Sequence, residues 1–331
     1  MRTFSSPICY HKDLPDWLCA LAETPPMQRI REVGMNCGCE YSGFPRFRGL
    51  RYSRHDHSLG TALIVWHFTC DRTQTIAALF HDIATPVFAH TIDFLNGDYM
   101  QQTSTEASTE AMIRSSPEIA ALLTLYGIPL ENVTDYHRYP IADNDSPRLS
   151  SDRLEYTLGN ALRYGFAGPE ELQACYDDLC VTTAEDGQPE LAFSTLEYAD
   201  TFAQAMLQCS RVYVSDPDRY LMQMLSELMA MALNLGVIDR NDLYSTEPQV
   251  ISALTESFEI HAAWERFRAL HEMVTEADQA PIALRRTVFS KKRYIDPLVA
   301  GQGRLSSLSP DFRRTLGNFL AEPQDHWLYG R

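Results

Sequence analysis

Four things are missing from this 331-residue chain. No apolar run reaches the roughly 18 residues from which a membrane-crossing helix is read. The opening Met1-Arg2-Thr3-Phe4-Ser5-Ser6-Pro7 lacks the apolar stretch of a secretory leader, so the expected location is cytoplasmic. The eight cysteines form no CxxC pair, which leaves reduced thiols as the expectation and makes Cys37-Gly38-Cys39 a loop with two incidental thiols. Cations are scarce: 28 Lys and Arg stand against 44 Asp and Glu, and a net charge of -16 argues against a nucleic-acid partner, whose non-specific binding draws on clustered Lys and Arg. With no repeat, low-complexity tract or firm linker, and 45% apolar residues, the chain reads as globular with material for a sizeable core.

What is present is helical periodicity. Leu14, Leu18, Leu21 and Ala22 recur at helical spacing within 13–35, interrupted at Thr24-Pro25-Pro26. Ser58–Phe68 and Asp71–Asp82 read as two apolar helices, the second capped by Asp71, joined by a turn at Thr69–Arg72 and therefore antiparallel. Further helices are expected over 104–125, with Ser104 or Thr105 as cap, from Ser151 onward, and over Ala192–Cys209, Asp216–Leu235, Pro248–Val274 and Pro310–Leu320. The fold expected is all-α, a helical core over 1–165 and a helical C-terminal region over 166–331 that completes the pocket or an oligomer interface. Met222, Met224, Met229 and Met231 are read as core packing.

The chemistry gathers in one stretch, Arg54-His55-Asp56-His57-Ser58-Leu59-Gly60, then His81-Asp82, then His90, and much later Asp152. His81-Asp82 follows the apolar Ile76-Ala77-Ala78-Leu79-Phe80, where burying two polar groups without a partner costs several kcal/mol. A lone His, a His-Asp pair and a distant Asp that converge when their helices pack offer mixed nitrogen and oxygen donors, a set that suits zinc, manganese, iron or nickel. Two cationic neighbourhoods stand out in an acidic protein. Arg29, Arg31, Arg46, Arg48 and Arg51 surround a Gly- and Cys-containing loop, and Lys291-Lys292-Arg293 lies next to Tyr294; either is a candidate for anion contacts.

These phrases, together with Thr24-Pro25-Pro26-Met27-Gln28-Arg29-Ile30-Arg31, Pro86, Phe88 and Asp152-Arg153-Leu154-Glu155-Tyr156, resemble the HD-domain phosphohydrolases over residues 24–165, and their order is similar to the deoxynucleoside triphosphate triphosphohydrolase branch. The resemblance implies a helical HD-domain bundle and a divalent metal (manganese, iron, zinc, nickel or magnesium) held by His57, His81, Asp82 and Asp152. It further implies catalytic roles for His90 and Asp82, and substrate contacts from Arg54 and Tyr156, with Arg29, Lys292 and Arg293 as further candidates. The function expected is metal-dependent hydrolysis of a phosphate ester or anhydride on a nucleotide-like small molecule, in a homo-oligomer, since relatives assemble into multimers.

The chain departs from that branch in three places. Thr85 stands where a further histidine is usual, Thr105-Glu106 where a His-Glu phrase is usual, and Met35 where a sugar-reading glutamine is usual. Those departures motivate a second reading, a metal- and nucleotide-binding sensor or assembly module with weak or no hydrolysis. A two-iron oxygenase is a third, and would need two more imidazoles, for which His90 and His137 are the candidates.

Overall fold

Apolar residues at three- and four-residue spacing make most of the chain helical: 54% is helix against 6% strand, as the all-α expectation requires. The structure is a computed structural model and describes residues 7–97, 100, 108–274 and 280–331. In chain order its helices are α1 (Asp16–Ala22), α2 (Pro25–Arg29), α3 (Arg54–Thr69), α4 (Arg72–Phe80), α5 (Thr91–Leu95), α6 (Thr109–Ser115), α7 (Pro117–Tyr126), α8 (Ser151–Arg163), α9 (Pro169–Asp177), α10 (Leu196–Tyr213), α11 (Asp216–Asn234), α12 (Glu247–Glu256), α13 (His261–Ala269), α14 (Leu305–Leu308) and α15 (Pro310–Ala321). No helix among the described residues is long and apolar enough to cross a membrane.

Helix boundaries follow local chemistry more closely than the spacing alone suggested. Helix α3 starts at Arg54, four residues before the expected Ser58, because Ser53 caps it: its Oγ accepts from the Asp56 amide at 3.1 Å. His57 therefore sits inside the first turn. Asp71 caps α4 as expected, accepting from Thr73 and Gln74 amides at 2.8 and 3.2 Å. Prolines split the longer stretches, since Pro is tolerated in the first turn and breaks the ladder elsewhere. Pro25 opens α2, and Pro117 opens α7 after Ser116, whose Oγ accepts from Ile119. The expected caps Ser104 and Thr105 lie outside the described residues. The stretch Pro248–Val274 is two helices, parted at 257–260.

One expectation is overturned. Ala192 does not begin a helix; it belongs to β2 (Pro189–Phe193), which pairs antiparallel with β1 (Leu179–Thr183), and α10 starts at Leu196. Asp186-Gly187 supplies the turn, with Gly187 at φ 83°, the left-handed conformation glycine adopts at no steric cost. Beside β2 runs β3 (Leu298–Val299) in parallel, and β4 (Gly303–Arg304) closes the sheet in the order β1-β2-β3-β4.

Among the described residues two large apolar cores result, beside a small cluster of Val65, Ala78 and Ala142. One gathers Leu18, Leu63, Phe80, Leu158, Phe193, Phe202 and Phe312 from both sides of residue 165. The other gathers Phe47, Phe88, Leu225, Met229 and Trp264 around α11 to α13. Helix α3 is buried on nearly every side, from His57 to Val65, as expected of a helix without a polar face. It packs along α4 and α8, and that packing brings three distant stretches of sequence to one point.

Candidate metal centre

His57 is carried by the first turn of α3, His81 caps the end of α4, and Asp152 stands in the first turn of α8. The antiparallel run of α3 and α4 sets the two imidazoles side by side, with Nε2 atoms 3.1 Å apart and ring centroids 4.9 Å apart. Asp152 Oδ1 lies 2.9 Å from the first Nε2 and 3.5 Å from the second. These three form a group able to hold a metal ion.

The hydrogen bonds on the far side of each ring decide what faces inward. His57 Nδ1 is 2.6 Å from Glu155 Oε2, and His81 Nδ1 is 2.6 Å from the Ala78 carbonyl oxygen. Both partners only accept, so each Nδ1 carries the proton and donates it. In neutral rings both Nε2 lone pairs then face one another and a carboxylate oxygen. Three lone pairs directed at one point repel unless positive charge lies between them. Two donors held about 2.1 Å from one ion at angles between square and tetrahedral are about 3.0–3.4 Å apart, close to the spacings found. The donor set thus fits a divalent cation, and the acceptor behind each imidazole is the arrangement that orients and strengthens such ligands.

Without a cation the charge must be met by protons. Burial opposes a charge on His57, yet the hydrogen bonds to Asp152 and Glu155 overcome it and raise its pKa to about 10. His81 is raised as well, burial again being outweighed, here by Asp82 and Asp152. Asp152 is held well below the ordinary carboxylate value, because its bonds to the two imidazoles outweigh its burial.

Asp82 was expected as a fourth ligand. Its Oδ2 lies 3.6 Å from His81 Nε2 and 3.8 Å from His57 Nε2, and at 2.8 Å accepts from Arg54 Nη1, while Oδ1 accepts from the Thr85 hydroxyl at 2.8 Å. It borders the three-residue group and is already partnered. Burial is outweighed by Arg54, His81 and His57, which keep Asp82 ionised far below the usual range. Thr85, where the resembled branch carries an imidazole, is thus a prop for Asp82.

These groups open into a cavity of about 580 Å³. Arg54, Tyr156 and Arg293, expected at the substrate, and His90, expected in catalysis, line it. Two others do not. Arg29 spends its guanidinium on backbone carbonyls, Ile83 and Thr85 at 2.8 Å each and Ser245 at 3.3 Å, so it fastens the turn after His81-Asp82. Lys292 donates to the Leu320 and Glu322 carbonyls at 2.7 and 2.5 Å, at the end of α15. The segment 290–297 has no regular secondary structure, and its side chains divide between the cavity and the end of α15. Lys291 and Arg293 line the cavity, and Lys292 faces away.

Three participants went unread in the sequence. Glu155 is buried, takes His57 Nδ1 and also accepts from the Tyr52 and Tyr10 hydroxyls. Its room comes from Gly60, where a Cβ would lie 2.7 Å from the Glu155 Cγ. Tyr52 likewise needs the bare Gly159. Asp93, fully buried, accepts from His90 Nδ1 at 2.8 Å. The legible signal was spacing: Asp152 and Glu155, like His90 and Asp93, are three apart in helical stretches and share a face. Burial, with Arg293 and Arg54 nearby, lowers the His90 pKa in spite of Asp93, so the ring is neutral near pH 7 and Nε2 is its proton-exchanging atom. The backbone before it is held at positive φ, 58° at Phe88 and 44° at Ala89, a strain of the kind that accumulates at functional sites.

No family model matches the chain. It is similar to a metal-dependent phosphohydrolase of Cordyceps militaris, cns2, 24% identical over 295 residues that cover 86% of this chain and 81% of that protein. An uncharacterized protein of Bacillus subtilis, YdhJ, is 24% identical over 242 residues, 72% of this chain and 70% of that one.

Proposed function

We propose that the protein is an HD-type metal-dependent phosphohydrolase acting on a phosphate ester or anhydride of a nucleotide-like molecule. The observation that carries this reading is the meeting of two Nε2 lone pairs and the Asp152 carboxylate at the wall of a cavity, with an acceptor behind each ring. The likeness to a protein named a metal-dependent phosphohydrolase supports it. A divalent cation held by His57, His81 and Asp152, with Asp82 beside it, would supply Lewis acidity toward a phosphoryl oxygen and make water a better nucleophile. Arg54 and Tyr156 then orient phosphate oxygens by hydrogen bonding. His90, its Nδ1 fixed on Asp93, takes a proton from the attacking water at Nε2 and returns it to the leaving oxygen as the phosphorus–oxygen bond breaks.

The charge on the walls favours one phosphate over three. Arg54, Arg148 and Arg153 are each paired with an acid of the same cavity, Asp82 at 2.8 Å, Asp186 at 2.6 Å and Asp143 at 3.2 Å, and the remaining cations Lys291 and Arg293 share the wall with Asp145 and Asp152, which leaves less positive charge than a triphosphate calls for.

The test is metal analysis joined to a panel of nucleotides and simple phosphate esters, with wild type and His81→Ala. The reading expects about one ion per chain and a kcat/KM on the best substrate at least about 1000-fold lower in the variant. Equal activity of the two proteins abandons it. A second reading, binding without turnover, draws on Thr85, whose hydroxyl is given to Asp82 and which supplies no imidazole. Tight nucleotide binding by calorimetry with no hydrolysis under any metal would establish it instead.

A further inference from the structure

The cavity has two chemically different regions. Around His57 and Arg54 it is charged. Another part of its wall includes Asn36, Cys37, Tyr164, Tyr213 and Met222, with one carboxyl beside them, Asp218 in the first turn of α11. The polar side chains around Asp218 are already arranged. Tyr164 donates to Asn36 Oδ1 at 3.1 Å, and Asn160 Nδ2 donates to the Tyr213 hydroxyl at 2.8 Å. Asp218 is the exception. Its one side-chain hydrogen bond among the described residues is to the Cys39 thiol, a weak contact at 3.9 Å, and the adjacent Arg219 turns instead to Asp216 at 2.7 Å and to the Val288 and Gln324 carbonyls. A carboxyl that faces a cavity with its hydrogen-bonding capacity nearly unused is poised for a ligand. Nothing in the proton-transfer scheme above uses it.

We infer that Asp218 is a specificity-determining residue that hydrogen-bonds the heterocyclic base of the substrate while the phosphate lies at the metal centre. This rests on the phosphohydrolase reading for the position of the phosphate. The surroundings suit a flat ring: the Tyr164 and Tyr213 side chains and the Met222 thioether give apolar faces, and a cavity of about 580 Å³ has room for a base, a sugar and one phosphate. Burial holds Asp218 well above the ordinary carboxylate value and keeps Cys37, Tyr164 and Tyr213 uncharged as well. A protonated carboxyl presents a donor and an acceptor side by side, and base edges present the complementary pair.

The experiment compares wild type, Asp218→Ala and Asp218→Asn on nucleoside monophosphates, ribose 5-phosphate and phenyl phosphate, with calorimetric binding of the same nucleotides to each full-length protein. Asp218→Ala should lower kcat/KM and affinity for the preferred nucleotide about 10- to 100-fold, the cost of an unmade hydrogen bond in a closed site. It should leave ribose 5-phosphate and phenyl phosphate unchanged and narrow the preference among bases. Asp218→Asn keeps a donor and an acceptor and should recover most of the loss. Equal losses on all three substrates, or on ribose 5-phosphate alone, overturn the inference, as does a wild type that binds no nucleoside monophosphate. Binding that depends on Asp218 without turnover would instead sink the hydrolase reading and leave this one standing.

Discussion

Glu155 decides which nitrogen of His57 looks into the cleft, and it does so from outside the ligand group. Replacing it with Gln removes one acceptor oxygen from a site where His57, Tyr52 and Tyr10 all donate. We expect Glu155→Gln to weaken metal binding about 10- to 100-fold, measured by competition with a chelator of known affinity. The proton on His57 gives a second outcome at the same scale. In the metal-free site its pKa is about 10, so a cation must displace that proton, and apparent metal affinity should rise as pH rises toward that value, by about tenfold per pH unit for one proton released. A pH-independent affinity between pH 6 and 8 would contradict the protonation assigned to His57. Arg29 and Lys292 show the limit of reading a cation from sequence: both are basic, and both were expected at the substrate. Only the carbonyls around them show that they fasten backbone instead.

The β1–β2 hairpin is the element the sequence concealed. Its strands are five residues each, its β2 side is buried like a helix core, and the helical spacing of the residues after it runs back into Ala192. Its turn reaches the cavity mouth, where Asp186 and Gln188 join the lining and Asp186 pairs with Arg148. Arg304 of β4 anchors it by gripping Glu185 and the buried Glu190, Nη1 to Glu190 Oε1 at 2.6 Å. Removing Arg304 leaves Glu190 as an unpaired charge in the interior. Arg304→Ala should therefore cost about 3–5 kcal/mol in denaturant unfolding, and a Glu190→Gln, Arg304→Met double variant should cost less than Arg304→Ala alone. A double variant as unstable as the single one would show that the loss is packing around Arg304.

At the scale of the molecule, two cores meet along the cleft, and beside the second lie two acids, the buried Glu247 and the half-buried Glu40. Glu247 accepts from the Gly34 and Phe88 amides and the Tyr41 hydroxyl, while Glu40 nearby has a buried Oε2 without a partner. Burial, and then Glu247, push Glu40 up to about 8 from an ordinary 4.5. The unfolded chain gives up that proton at the lower value and the folded one keeps it, so the contribution of Glu40 to stability is full below pH 4.5 and is lost as pH climbs through about 8. Denaturation midpoints at pH 5, 6, 7 and 8 should fall in that order, and Glu40→Gln should flatten the trend. Reading the chain alone was enough for the helical class, the Asp71 cap and the choice of His57, His81 and Asp152 as a candidate metal group, because periodicity and residue type are local properties. It did not yield Glu155, Asp93 or Asp218, nor the outward turn of Lys292, because each depends on which groups far apart in sequence are pressed together. Burial and the partners met across a cleft exist only once α3, α4, α8 and α11 have packed.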